Sequence, residues 1–166
     1  MAASMINARS ETVTIKPAFK DALKLRRCLI PADGFYEWQR ERKSRQPFCF
    51  EVNDGELFAF AGLWDRWLNP SGEIVESCSI LTTTANSLTR DVHDRMPVIL
   101  AKDDYDLWLD PGINNSKGAC ELLKPLAASQ MRKYAVSTRI NTVQNDDESC
   151  AAPVEPYAGP VQQSLL

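Results

Sequence analysis

Short runs of alternating apolar and polar residues dominate the chain, interrupted by a few segments of helical period. Residues 6–15 carry the β-branched bias of a strand, with Asn7, Arg9 and Glu11 on one face. Pro17 opens a short amphipathic helix over 18–26, whose apolar side is Phe19, Ala22, Leu23 and Leu25. Residues 28–30 form a small strand, Pro31-Ala32-Asp33-Gly34 a turn, and 35–40 a second strand. A polar, positively charged loop covers 41–46. Two apolar runs, 48–52 and 57–63, then flank Asn53-Asp54-Gly55 and predict a β-hairpin. Asn69-Pro70-Ser71-Gly72 marks a further turn, 76–83 a strand, and 85–91 a short helix. Helices follow over 102–109, capped by Asp103, and over 116–124. Residues 133–137 are a late strand, and beyond Asn145-Asp146-Asp147-Glu148 the chain becomes proline-rich and irregular. Without internal repeats, the sum is an α+β fold: one β-rich domain, mostly antiparallel sheet with a few short helices. It spans residues 1–153, followed by an irregular tail, 154–166.

The pattern centres on Val92-His93-Asp94-Arg95-Met96-Pro97-Val98-Ile99-Leu100, which contains the chain's one histidine. The apolar run is too short and too β-branched for a helix. In an extended strand His93 and Arg95 point to one face and Asp94 to the other. A proton-shuttling imidazole beside an anion-binding guanidinium suits chemistry on a phosphate-bearing substrate. The plain alternative is a hydrogen-bonded histidine at a loop–strand junction.

Glu37 is the second candidate, a carboxylate within Gly34-Phe35-Tyr36-Glu37-Trp38. If it shares an inward face with Phe35, burial raises its pKa and makes it a general acid or base near neutral pH. If Tyr36 and Trp38 face the core, it is a surface carboxylate. Alternation alone leaves both open. Asn7 and Arg9 form a third group, an amide able to hold a sugar beside a guanidinium able to hold a phosphate. The alternative there is an edge strand with polar outward residues.

Composition narrows the partners. The net charge of -3 argues against generic polyanion binding, yet residues 1–45 hold ten Lys/Arg against five Asp/Glu, and the remainder nine against seventeen. Such asymmetry hints at a local nucleic-acid-facing surface on an acidic protein. No apolar run reaches membrane-spanning length and no signal core is present, which predicts a cytosolic or nuclear protein with no membrane partner. Cys28, Cys49, Cys78, Cys120 and Cys150 are odd in number and widely spaced, indicating neither a disulfide framework nor a metal site, and each reads as a small buried hydrophobe. No cofactor-binding loop or hydrolase motif appears.

Six segments follow one another in a specific order: Ile6-Asn7-Ala8-Arg9-Ser10-Glu11-Thr12; Arg27 to Trp38, centred on Ala32-Asp33-Gly34-Phe35-Tyr36-Glu37-Trp38; Gln46-Pro47-Phe48; Phe60-Ala61-Gly62-Leu63-Trp64; Ile80-Leu81-Thr82-Thr83-Thr84-Ala85-Asn86; and the His93 stretch. In this order they resemble the SOS response-associated peptidase (SRAP) family, over nearly the whole chain to about Pro153. The resemblance implies single-stranded DNA carrying an abasic site as partner, a role in the DNA damage response, and no metal or cofactor. In the family an N-terminal cysteine forms a thiazolidine with the ring-opened sugar aldehyde, and the same thiol is linked to peptidase activity. The resemblance implies that Asn7 orients the sugar, Glu37 senses the abasic site and handles protons, and His93 promotes ring opening. Arg9 and Arg95 would hold flanking phosphates.

One feature departs from the family. Its members begin Met-Cys-Gly-Arg, several tens of residues before the Asn-Ala-Arg motif, whereas here the motif follows Met1-Ala2-Ala3-Ser4-Met5. The expectation is a chain without the nucleophile, unable to form the stable adduct, with an open sheet edge where the preceding strands would pack. The alternative is a binding-only protein that holds single-stranded or abasic DNA without covalent chemistry.

Overall fold

The computed structural model describes residues 5–40, 45–113 and 116–156. Among these residues nine strands form two sheets. The larger contains β1 (Asn7–Arg9), β2 (Arg27–Ala32), β5 (Phe58–Leu68), β6 (Ile74–Thr84), β7 (Arg95–Pro97) and β8 (Ile99–Leu100), ordered β1-β6-β5-β2, with β7 on β6 and β8 on β5. The smaller is β3 (Phe35–Arg40), β4 (Arg45–Val52) and β9 (Met131–Ala135), paired antiparallel in the order β3-β4-β9. Only β1 runs parallel to its neighbour, β6. Short helices α1 (Lys20–Leu25), α2 (Tyr105–Leu109) and α3 (Ser116–Glu121) cover one face of the larger sheet. This is the expected α+β class.

β5 explains the layering. Its first six residues are all buried, so it is covered on both faces. Ala61 and Leu63 join Leu23, Leu81, Val98 and Trp108 beneath the helices, while Phe58 and Phe60 join Phe50, Val52, Met96 and Ile99 between the sheets. Fully burying such side chains stabilises by about 1.5–3 kcal/mol each. Gly62 lets β2 approach, because an added Cβ would lie 2.8 Å from Cys28 Sγ and 2.9 Å from Ile30 Cγ1.

The expected hairpin over 48–63 does not form. β4 and β5 belong to different sheets, and their apolar residues meet face to face rather than as neighbouring strands. Asn53, Asp54 and Gly55 all have positive φ (43°, 60° and 92°), carrying the chain across from one sheet to the other. β5 instead forms a hairpin with β6, with Leu68 opposite Ile74 across the turn at Asn69-Pro70-Ser71-Gly72.

Other elements differ in extent. The strand expected over 6–15 stops at Arg9, where Thr12 N donates to Arg9 O and opens successive turns. Helix α1 is shorter than 18–26, and Leu25 is exposed rather than part of its apolar side. The segment 85–91 is a run of turns, because Asn86 Oδ1 accepts from Leu88 N and Thr89 N and so competes with helical pairing. Residues 102–109 are a 3₁₀ turn (Lys102–Asp104) leading into α2, and Asp103 lies inside it rather than capping it. The strand expected over 28–30 extends across Arg27–Ala32, taking in Pro31; α3 ends at Glu121 and β9 lies two residues earlier than expected. The charged loop falls partly outside the described residues, as does 157–166 of the tail. Val154 N donates to Ala135 O, and Pro153 bridges Val136. Of the cysteines, Cys49 and Cys150 are buried, Cys28 and Cys120 half-buried, and Cys78 is exposed, against expectation. No helix among the described residues is long and apolar enough to cross a membrane.

Candidate functional site

A cavity of about 440 Å³ opens where β1, β3, β6 and the β7 segment converge. Asn7, Arg9, Glu37, His93 and Arg95 all line it, with Lys16, Tyr36 and Thr82 among the other polar wall residues. Residues separated by up to 88 positions in sequence thus share one wall.

β1 supplies two of them. Ala8 is buried at 1 % exposure against the core, so its neighbours Asn7 and Arg9 turn outward to the cavity. β1 is held by parallel pairing of Asn7, Ala8 and Arg9 with Ile80, Leu81 and Thr82.

β3 settles the orientation of Glu37. Phe35 pairs with Phe50 and Glu37 with Phe48, and Phe35 stacks on fully buried Phe50 at 5.0 Å. Glu37 shares this inward face. Burial pushes its carboxyl above the usual carboxylate range; His93 pulls it partly back, and Asp94 pushes it up further.

His93 does not lie in a strand. β7 begins at Arg95, and His93 ends the turns that start at Asn86, its N–H donating to Thr89 O at 2.9 Å. Those turns are fastened on three sides. Asn86 Nδ2 donates to Leu126 O, Lys133 Nζ to Leu88 O, and Gln39 Nε2 to Asp91 O. His93 Nδ1 accepts from Arg95 N at 3.1 Å in one tautomer of the ring and donates to Arg95 O at 3.3 Å in the other. Asp94 Oδ1 lies 3.4 Å from the same Nδ1, available to the charged ring.

Arg95 is engaged within the protein. Its fork meets Glu11 at 2.5 and 3.0 Å, and NH2 also donates to Thr82 O and Oγ1. The Nε is buried, with no partner among the described residues. Glu11 is held below the usual carboxylate range by this hydrogen bond. Glu11, expected on one face with Asn7 and Arg9, reaches the site instead from the turns that follow Arg9, through its pairing with Arg95. Lys16, among the same turns, lies beyond the alternation of residues 6–15.

Arg27 opens a second of the quoted sequence segments but lies elsewhere. It donates to the carbonyls of Leu23, Lys24, Trp108, Asp110 and Ile113, and stacks over the Trp108 ring. None of the five cysteines lines the cavity. Among the described residues, no group of three or more His, Cys, Asp or Glu side chains is placed to hold a metal ion.

Residues 1–143 match the family model described as SOS response associated peptidase (SRAP). Two Bacillus subtilis (strain 168) proteins are similar: abasic site processing protein YoqW, 43% identical over 86% of this chain, and YoaM, 45% identical over 86%. The chain spans 64% and 63% of their lengths. It is 34% identical to abasic site processing protein HMCES of Xenopus tropicalis, over 89% of this chain and half of that one. A crystal structure of a Bacteroides thetaiotaomicron protein superposes with a TM-score of 0.86 at 32% identity, covering 92% of this chain and 67% of that one. Motif order, a fold shared with that structure, and a family match over residues 1–143 lead to one conclusion: this chain belongs to the SRAP family.

Proposed function

We propose that this chain binds single-stranded DNA at abasic sites, seating the bared sugar in the cavity shared by Asn7, Glu37 and His93. The observation carrying this reading is the convergence of those three groups and two arginines on one wall. A cavity of about 440 Å³ lies in the range of small-ligand sites. Relatives named as abasic site processing proteins supply the substrate class.

The roles follow from the chemistry. The Asn7 amide can both donate to and accept from sugar hydroxyls. Glu37, whose carboxyl pKa burial raises, gives a proton to the ring oxygen as the sugar opens to its aldehyde. His93, on the same wall, donates or accepts at the same sugar. Arg9, without an ion-pair partner among the described residues, takes a flanking phosphate. Arg95 takes another as the phosphate displaces Glu11 from its fork. Among the described residues no cysteine lines the wall, so these residues alone do not supply the thiol that a thiazolidine adduct or thiol peptidase activity needs.

The test is anisotropy with a single-stranded oligonucleotide containing one tetrahydrofuran abasic analogue, titrated at several salt concentrations. Tighter binding than to the intact strand is expected. Arg9→Ala should lower the salt slope by about 1. Equal affinity for both strands, or an Arg9→Ala slope unchanged from the parent, would overturn the assignment.

A further inference from the structure

The loop between β1 and α1 is pinned over the cavity at three points: Glu11 by Arg95, Val13 by complete burial, and Phe19 by the core beneath α1. Lys16 sits between the last two, its N–H donating to Thr12 O and its carbonyl accepting from Phe19 N. Its side chain lines the same wall as Asn7, Glu37 and His93. Among the described residues no carboxylate lies within ion-pair distance of its ammonium. Among the described lining residues, Lys16 is the one that carries an alkyl amine.

Resting on the abasic-site reading above, we propose that Lys16 is an amine nucleophile that forms a reversible imine with the ring-opened sugar. An abasic site presents an aldehyde at C1′ once the ring opens, and a lysine amine is a competent nucleophile toward such a carbonyl. The Lys16 ammonium first yields a proton to Glu37 or His93 on the same wall. Nζ then forms a bond to C1′ as the carbonyl π bond breaks, and a proton passes from Nζ to the carbonyl oxygen to give a neutral carbinolamine. Expulsion of that hydroxyl as water, with a proton returned from the same wall, leaves the C1′=Nζ iminium. Addition of water reverses each step. No oxidant, metal or second substrate is required. The difference from a thiazolidine is permanence: an imine has no second ring-closing bond and hydrolyses.

The test incubates the full chain with a single-stranded oligonucleotide carrying one natural abasic site, with and without sodium borohydride, and resolves the products on a denaturing gel. A borohydride-dependent band is expected, with the reduced adduct mapping to the Lys16 peptide by mass spectrometry. Lys16→Arg keeps the charge and removes the nucleophile. It should weaken the band by at least about tenfold. Its affinity for the tetrahydrofuran analogue, which has no aldehyde, should fall by a clearly smaller factor than the band. A Lys16→Arg band of undiminished strength would assign the amine elsewhere and overturn the proposal. So would a band and an affinity that fall together, which would make Lys16 a charge contact only. No band despite tight binding of the analogue would overturn the imine and leave the binding reading standing; no binding of the analogue would remove both.

Discussion

Two arginines from the quoted motifs end in opposite settings. Arg27 is surrounded by five backbone carbonyls and an indole face, joining the end of α1 to α2 and the loop that follows. Burial lowers its pKa, and it has no route to a ligand that would not break the fold. Arg95 is as closely held, by Thr82 O and Oγ1 on one side but by an exchangeable carboxylate on the other, beside a histidine and a carboxyl whose pKa burial raises. Carbonyl acceptors come with the backbone and stay; a carboxylate partner half open to water can be replaced by a phosphate. A guanidinium's function is thus decided by what its partners can do, not by how many it has.

The largest effect should come from removing the closed arginine. Arg27→Met leaves several inward carbonyls unmatched and should cost about 3–5 kcal/mol in urea unfolding, with DNA affinity retained in the folded fraction. Full stability in that variant would erase the contrast. Glu37→Gln should act with the opposite sign on stability. Because the folded state raises the carboxyl pKa, Glu37 contributes most below its unfolded value, and that contribution is lost as pH rises through the folded pKa. The amide should therefore be at least as stable as the parent at pH 7, with a flatter stability profile above pH 4.5. The trapped product should form about a hundredfold more slowly. A parallel loss of stability and rate would make Glu37 a structural residue. The smallest change is expected from Glu11→Gln, which loosens Arg95 for about 1 kcal/mol, since the pair is partly exposed. Its folded pKa is lowered, so the stabilisation it gives is present above pH 4.5 and fades as pH falls through the folded value. Freeing the fork should strengthen single-strand binding at low salt, and weaker binding would show that Glu11 positions Arg95 rather than competing for it.

Much of the site was legible before the fold was, because motif order marked Asn7, Arg9, Glu37, His93 and Arg95 without any knowledge of pairing. Local alternation did well where partners are adjacent: β3 spans the expected residues, and the Asn69–Gly72 turn closes a true hairpin. It failed at Asn53-Asp54-Gly55, because the same turn residues that close a hairpin can also carry a chain between sheets, and the choice depends on strands far away in sequence. Glu37's face was undecidable for a related reason: both neighbours are aromatic, and only pairing with Phe48 and stacking of Phe35 on Phe50 choose between them. Lys16 escaped notice because it reaches the cavity from among turns, where periodicity carries no information.

The short stretch from β7 to β8 has its own consequence. Val98 donates to Leu81 O on β6 and accepts from Ala61 N on β5, so one residue links two strands that part around it. Its spacing from Arg95 is therefore fixed from both ends. Adding or deleting one residue there would turn Arg95 away from Glu11 and the cavity while the wedge kept its place. At the exposed tip around Ser71, an extra residue changes only the size of a turn. Length variation among functional copies of this chain should be absent between Arg95 and Val98 and frequent near Ser71, a pattern that a library of single-residue insertions can read directly.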